Sequence, residues 1–246
     1  MSIKMLELSR GTPGTSIFPT VLYDESSLVL IDTGLPGFRG KIAEAVRESG
    51  LDDRRLAAIV LTHEDIDHIG GLPQFLGDAD EADAARPDVY AHAADRPAID
   101  GVRPIAKAPE ERLSMILGQA PETIARQYRA MMSPSSPGNV SHELTDGQSL
   151  PFGGGVTVIH TPGHTAGHVC LYHRASRTLI AGDAMIVSDG RLNGPNPGFT
   201  PDYGQALQSL RKLAAFDIAQ AICYHGGLYA SERVNERIAE IAAQAI

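Results

Sequence analysis

The chain has 246 residues, 43% of them apolar and 21% charged, with 25 glycines and 16 prolines; these are the proportions of a folded globular chain and exclude a low-complexity or disordered one. A formal net charge of −9 withholds the basic footprint on which nucleic-acid binding depends, so no nucleic-acid partner is expected. Two cysteines, Cys170 and Cys223, are too few for a disulfide framework, the opening MSIKMLELSRG lacks the order of a signal peptide, and no apolar run approaches the ~18–20 residues of a membrane span, so a soluble cytoplasmic protein with no membrane partner is expected.

In chain order, residues 6–23, with Gly11, Pro13, Gly14 and Pro19, read as antiparallel edge strands and turns. The apolar run 28–31 reads as a buried strand that ends at Asp32, and 40–49 as a helix. A second buried strand is predicted over 57–61, followed at once by Thr62-His63, and a helix over 70–76. Residues 78–140 change character. Asp78, Asp80, Glu81 and Asp83 open an acidic stretch, 110–132 predicts one or two helices, and Ser-Pro-Ser-Ser-Pro-Gly closes it. The expectation is one domain over 1–246 with a helical insertion at about 95–137. The insertion carries Leu113, Met115, Ile116, Leu117, Ile124, Tyr128, Met131 and Met132, more than one buried stripe needs. Two readings stay open: a helical pair packed on the sheet, or a lid whose Met and Tyr side chains reach substrate.

Further buried strands are predicted at 156–159, 179–181 and 219–224, with helices at 203–215 and 231–245. Strand and helix alternate, which predicts an α/β fold with a mixed sheet. Each strand from 28–31 onward is followed by a side chain able to bind metal: Asp32, His63, His164, Asp183 and His225. Sites in α/β sheets gather beyond the carboxyl ends of strands.

The densest signal is Leu61-Thr62-His63-Glu64-Asp65-Ile66-Asp67-His68-Ile69-Gly70-Gly71. In an extended turn leaving a strand, alternate residues share a side, which groups His63, Asp65 and Asp67, and His68 falls where the glycines open a helix. Imidazole and carboxylate together suit Zn²⁺, and also Fe²⁺ or Mn²⁺. His92, His142, His160 and His173 have no partner pattern and read as ordinary histidines, and both cysteines read as buried fillers.

These residues resemble the metallo-β-lactamase superfamily, with its T-H-x-H-x-D-H-x-G-G signature. Asp65 stands where the family has its second histidine, an HxDxDH variant of HxHxDH. The resemblance continues through Ile31-Asp32-Thr33-Gly34, Thr161-Pro162-Gly163-His164-Thr165-Ala166-Gly167-His168, Gly182-Asp183 and His225-Gly226. It implies a four-layer αββα sandwich with metals at one edge between the sheets. Carried over residue by residue, it implies a first metal on His63, Asp65 and His164, a second on Asp67, His68 and His225, and Asp183 bridging both. Asp32 would orient an imidazole, and His168 would support the His164 loop. The implied cofactors are two divalent ions, zinc first, with manganese or iron as alternatives. Asp65 leaves such a centre with a smaller positive charge than the family's histidine does, which weakens its pull on bound-water protons and favours harder ions. A rival reading has Asp65 too short to reach.

The resemblance further implies a metallohydrolase in which a metal-bridging hydroxide attacks an ester, thioester or lactone bond of a small molecule, with Asp67 as proton acceptor. The alternatives are a mononuclear iron oxygenase resembling persulfide dioxygenases, a phosphodiesterase, and a non-catalytic metal-binding protein. About twenty residues follow His225, so the C-terminal helical domain of glutathione-thioester hydrolases is not expected. Homoserine-lactone hydrolases carry a tyrosine three residues after the bridging aspartate; Ile186 stands there, with Tyr203, Tyr224 or Tyr229 as substitutes.

Overall fold

Short runs of Val, Ile and Leu become strands here because both faces of each run are covered, so apolar residues are needed at consecutive positions rather than at alternate ones. A computed structural model describes residues 2–12, 14–77, 86–136 and 138–244. The acidic stretch of Asp78, Asp80, Glu81 and Asp83, and Ala245 of the last predicted helix, lie outside the described residues.

One sheet runs, in spatial order, β1 (Ser2–Met5), β2 (Thr20–Tyr23), β3 (Ser27–Ile31), β4 (Arg55–Val60), β5 (Asp88–His92) and β6 (His142–Leu144). Its first pairings are antiparallel, and those of β3 with β4, β4 with β5 and β5 with β6 are parallel. The second sheet is built from β7 (Ser149–Leu150), β8 (Val156–His160), β9 (Val169–His173) and β10 (Thr178–Gly182). After a small hairpin of β11 (Ile186–Ser188) and β12 (Arg191–Asn193), it is completed by β13 (Gln220–Cys223) and β14 (Gly227–Ala230), in the order β14-β13-β10-β9-β8-β7. All of its pairings are antiparallel except β10 with β13.

The two sheets face each other. Val29, Ile31, Ala58 and Val60 from the first interleave with Val156, Val158, Leu171 and Ile180 from the second. Successive strand residues point to opposite faces, so Leu28, Leu30 and Ile59 turn outward and join Ile42 and Val46 of α1 (Arg39–Glu48), Ile66 and Ile69 of α2 (Ile66–Ile69) and Leu72 and Leu76 of α3 (Leu72–Gly77). On the far side, Leu179 and Ala181 pack against Leu207 of α7 (Tyr203–Ser209), Leu210 and Leu213 of the 3-10 turn after it, and Ile238 and Ile241 of α8 (Val234–Ala242). The result is a four-layer αββα sandwich. Among the described residues, no helix is long and apolar enough to cross a membrane.

Within the stretch 78–140 a strand that was not predicted, β5, pairs with β4 and lies ahead of the segment 95–137. Between β5 and β6 the chain forms α4 (Arg96–Ile99), α5 (Glu110–Leu117) and α6 (Glu122–Met131). Leu117 and Tyr128 are buried in the outer core, and Met131 and Met132 pack against it, whereas Arg112 and Ile116 face the cavity described below. The helical pair is therefore a layer of the core on one side and a cavity wall on the other. Its Tyr128 lies in the core and does not line the cavity.

Candidate metal centre

Two loops leave the carboxyl ends of strands from opposite sheets and meet at one edge of the sandwich. The first follows β4 and carries His63 and Asp65, then α2 with Asp67 and His68. The second joins β8 to β9 and carries His164. Asp183 follows β10 and His225 follows β13. The first turn is drawn tight against the β3 end: a side-chain carbon on Gly71 would lie 2.2 Å from the Thr33 carbonyl oxygen, so only glycine fits there. Thr33 holds the same turn by donating from its backbone N–H and its hydroxyl to the His68 carbonyl.

The seven side chains form two groups. His63, Asp65, His164 and Asp183 make one, and Asp67, His68 and His225 make the other. In the first, Asp65 Oδ2 is 3.3 Å from His63 Nε2 and 3.1 Å from His164 Nε2, and Asp183 Oδ2 is 3.5 Å from His164 Nε2. In the second, His225 Nε2 is 3.4 Å from Asp67 Oδ2. Asp183 joins them, since its Oδ1 is 3.4 Å from His68 Nε2 and its Oδ2 3.4 Å from His225 Nε2.

Hydrogen bonding fixes which imidazole nitrogen faces inward. The Thr62 hydroxyl has one proton; with the backbone N–H of Thr62 donating to Asp32 Oδ1, that hydroxyl proton goes to Asp32 Oδ2 at 2.8 Å, so the oxygen accepts from His63 Nδ1 at 3.0 Å. His68 Nδ1 donates to the same Asp32 Oδ2 at 2.9 Å. The Thr200 hydroxyl donates to the Asn196 carbonyl and so accepts from His164 Nδ1 at 3.0 Å. In each case Nε2 is turned into the site.

The donor set fits divalent metal. Nε2 of His63 and His68 and Oδ1 of Asp65 and Asp183 are buried without a hydrogen-bond partner, a burial that costs about 1–3 kcal/mol per group unless something else binds it. Separations of 3.1–3.5 Å between donor atoms match the edge, roughly 3.3–3.4 Å, of a tetrahedron with ~2.0–2.1 Å bonds to nitrogen and oxygen. His63, Asp65, His164 and Asp183 could hold one ion, and Asp67, His68 and His225, with Asp183 between, a second.

Charge is balanced by protons in the chain itself. Burial works against a charged His225, but Asp183 and Asp67 outweigh it and raise its pKa to about 10. His68 is likewise held well above its usual value against burial by Asp183 and Asp32. His63 goes the other way, lowered to about 4 by burial and by the neighbouring His68. Asp183 and Asp65 stay well below the ordinary carboxylate range despite burial, the former through His225 and His68, the latter through His63 and His164.

Asp32 is 1% exposed and adopts φ 64°, the left-handed region that few non-glycine residues occupy. Strain of this kind persists where surrounding contacts over-determine it, here the contacts to Thr62 and His68. His168 lies between the Asp183 backbone and the start of the His164 loop: its Nε2 accepts from the Asp183 backbone N–H at 3.0 Å, so its proton sits on Nδ1, which donates to Thr161 Oγ1 at 2.8 Å. Burial, with His63 and His164 nearby, keeps His168 neutral by lowering its pKa well below the usual value.

Four residues of the site were not singled out as functional by the sequence. Asp95 accepts from the Glu64 and Gly167 backbone N–H groups and from the Thr165 hydroxyl, tying the two ligand loops together. Glu64, buried between two candidate ligands, pairs with Arg103 through both oxygens. Lys107 places its ammonium 2.6 Å from Asp65 Oδ2 and 2.6 Å from His164 Nε2. Of these only Glu64 lies inside a motif; nothing in the local pattern marks the rest.

The centre opens into a cavity of about 400 Å³. Asp65, Asp67, Asp183 and His225 lie on its floor, Leu35, Ile105, Ile116 and Phe199 supply apolar wall, and Arg10, Lys107 and Arg112 supply positive charge. Ile186 also lines it; among the described residues no tyrosine does. The Tyr224 phenol points away and donates to the Asp67 carbonyl at 2.5 Å.

Comparison with known proteins agrees with this architecture. The sequence profile described as "Metallo-beta-lactamase superfamily" matches residues 13–225. The probable metallo-hydrolase YflN of Bacillus subtilis is 28% identical over 96% of this chain and 91% of its own. The acyl-coenzyme A thioesterase MBLAC2 of Homo sapiens is 32% identical over 67% of this chain and 56% of its own. Among solved structures, the metallo-beta-lactamase family protein TTHA1429 from Thermus thermophilus aligns with a TM-score of 0.68 at 27% identity, covering 98% of this chain and 78% of that one.

Proposed function

The chain belongs to the metallo-β-lactamase superfamily, and from that premise we propose that it is a dinuclear metallohydrolase cleaving an ester, thioester or lactone bond of a small acyl compound. The observation that carries this reading is the pair of donor clusters sharing Asp183 on the floor of a cavity that is apolar on one wall and cationic on another. Two divalent ions, zinc first, would supply a water activated for attack at neutral pH and polarise the acyl oxygen. The thioesterase activity for which a distant relative is named supports the thioester among the candidate bonds.

The protein's own residues then have these roles. His63, Asp65 and His164 hold one ion, Asp67, His68 and His225 the other, with Asp183 between. Asp67, whose side chain is part-exposed to the cavity, accepts the proton of the attacking water. Leu35, Ile105, Ile116 and Phe199 exclude water around the acyl chain, and Arg10 and Arg112 face a polar or anionic end of the substrate. Free, buried Cys170 and Cys223 suit a reducing cytoplasm.

Metal analysis of protein purified without added metal, run beside hydrolysis of a panel of short acyl esters, acyl thioesters and lactones, tests the reading. Two zinc or manganese ions per chain with turnover of one panel class is the expected result. One iron per chain with oxygen consumption would replace hydrolysis by oxygen chemistry, and no metal with no rescue by added metal would end the enzymatic reading.

A further inference from the structure

We propose that Lys107 is a built-in cation for the first donor cluster, competing with the metal ion there and making the two metal positions unequal. This inference rests on the reading of that cluster as a metal site. Lys107 comes from the loop between α4 and α5, far in sequence from the donors it meets. Its ammonium is 2.6 Å from Asp65 Oδ2 and 2.6 Å from His164 Nε2, and the same nitrogen donates to the carbonyls of His164 at 3.1 Å and Phe199 at 3.0 Å. The side chain is only 12% exposed.

The His164 contact decides the matter. Its Nδ1 donates to Thr200, so Nε2 has one lone pair. That lone pair can accept a hydrogen bond from Lys107 or bind an ion, not both. Asp65 Oδ2 carries further lone pairs and is not blocked in this way, but an ammonium held on it beside a divalent ion adds like-charge repulsion. Among the described residues, the ammonium's contacts are with Asp65, His164 and Phe199, so the second cluster of Asp67, His68 and His225 has no such competitor. The first position therefore fills only when Lys107 swings out into the cavity.

Zinc titration of the full chain, with bound zinc per chain measured by elemental analysis, reads this directly. The wild-type protein should bind two ions in separated steps. Lys107→Met, of similar length and without charge, should bind the weaker ion more tightly, on the order of the 10–100-fold by which groups touching metal ligands alter affinity. Equal affinities in both proteins would overturn the role of Lys107 alone, and failure of either to take a second ion at saturating zinc would overturn the metal reading of the cluster with it. Should Lys107→Met fold poorly, amine acylation of wild-type protein followed by peptide mass spectrometry gives the second measurement. Lys107 should react several-fold faster with zinc at saturation than without it, and an unchanged rate would refute displacement.

Discussion

Asp32 and His68 are joined by a 2.9 Å contact between a buried carboxylate oxygen and Nδ1, on the side of the ring opposite the nitrogen that faces Asp183. The contact selects the tautomer that presents a lone pair to metal. Asp32→Asn keeps a residue that tolerates the left-handed backbone but can turn only one oxygen toward three donors, His68 Nδ1, the Thr62 hydroxyl and the Thr62 N–H. Zinc affinity of the second cluster should fall about 10–100-fold with the fold retained. Chelator competition measures it, and an unchanged affinity would show that His68 needs no such partner.

Metal binding should be coupled to proton release. His225, at about 10, and His68, held higher than usual by Asp183 and Asp32, are charged at neutral pH without metal; metal takes only neutral imidazole. Because these values lie above those of the unfolded chain, their ion pairs stabilise the metal-free fold fully below about pH 6.5, and that stabilisation is lost as pH rises through about 10 for His225. Raising the pH therefore weakens the metal-free chain and strengthens metal binding together. Near pH 7, loading the second cluster should release about two protons per chain. Calorimetric titration in buffers of different ionisation enthalpy would report this as a buffer-dependent heat, and equal heats in all buffers would contradict it.

Asp67 combines a ligand oxygen with an exposed edge on the cavity. Its backbone carbonyl is held by Tyr224, whose ring lies 3.8 Å from that of His68, so the turn does not depend on the Asp67 carboxylate. Asp67→Asn should keep the fold and lose roughly 10²–10⁴-fold in kcat, the usual contribution of a positioned base. Measured on protein with verified metal content, near-normal turnover would move the proton-accepting role elsewhere.

The layered core was legible in sequence at 28–31 and 57–61, where both faces of a strand are buried and the apolar run has no gap; β9, buried throughout but with Tyr172 and His173 closing its short run, was not among the predicted strands. β5, with the alternating burial of Asp88–His92, has no such run and was not predicted. The donor set was legible because His63, Asp65, Asp67 and His68 sit on one turn. Lys107 was not, since it meets His164 across 57 residues from a loop with no periodicity. The apolar pattern of α5 and α6 could not say which face was core; packing turned Tyr128 inward and left Arg112 and Ile116 for the cavity.

Asp65 stands where the resemblance places a histidine, and its carboxylate is close to two candidate ligands: one oxygen lies 3.3 Å from His63 Nε2 and 3.1 Å from His164 Nε2. It stays ionised despite burial because His63 and His164 favour the charged form. If it binds metal, it removes one unit of positive charge from the centre, so the water held there gives up its proton less readily. Asp65→His should then move the acidic limb of the pH–rate profile to lower pH and favour zinc over manganese, since imidazole is the softer ligand. It also deprives Lys107 of its carboxylate partner, which lowers the barrier to filling the first position and acts in the same direction on metal content. Asp65→Ala separates the two effects, because it removes the ligand without adding imidazole. Loss of the weaker metal equivalent in Asp65→Ala, together with the shifted profile in Asp65→His, is the expected outcome. Full metal content and an unmoved profile in Asp65→Ala would mean that the carboxylate serves only as the partner of Lys107, and the charge of the centre would then owe nothing to this substitution.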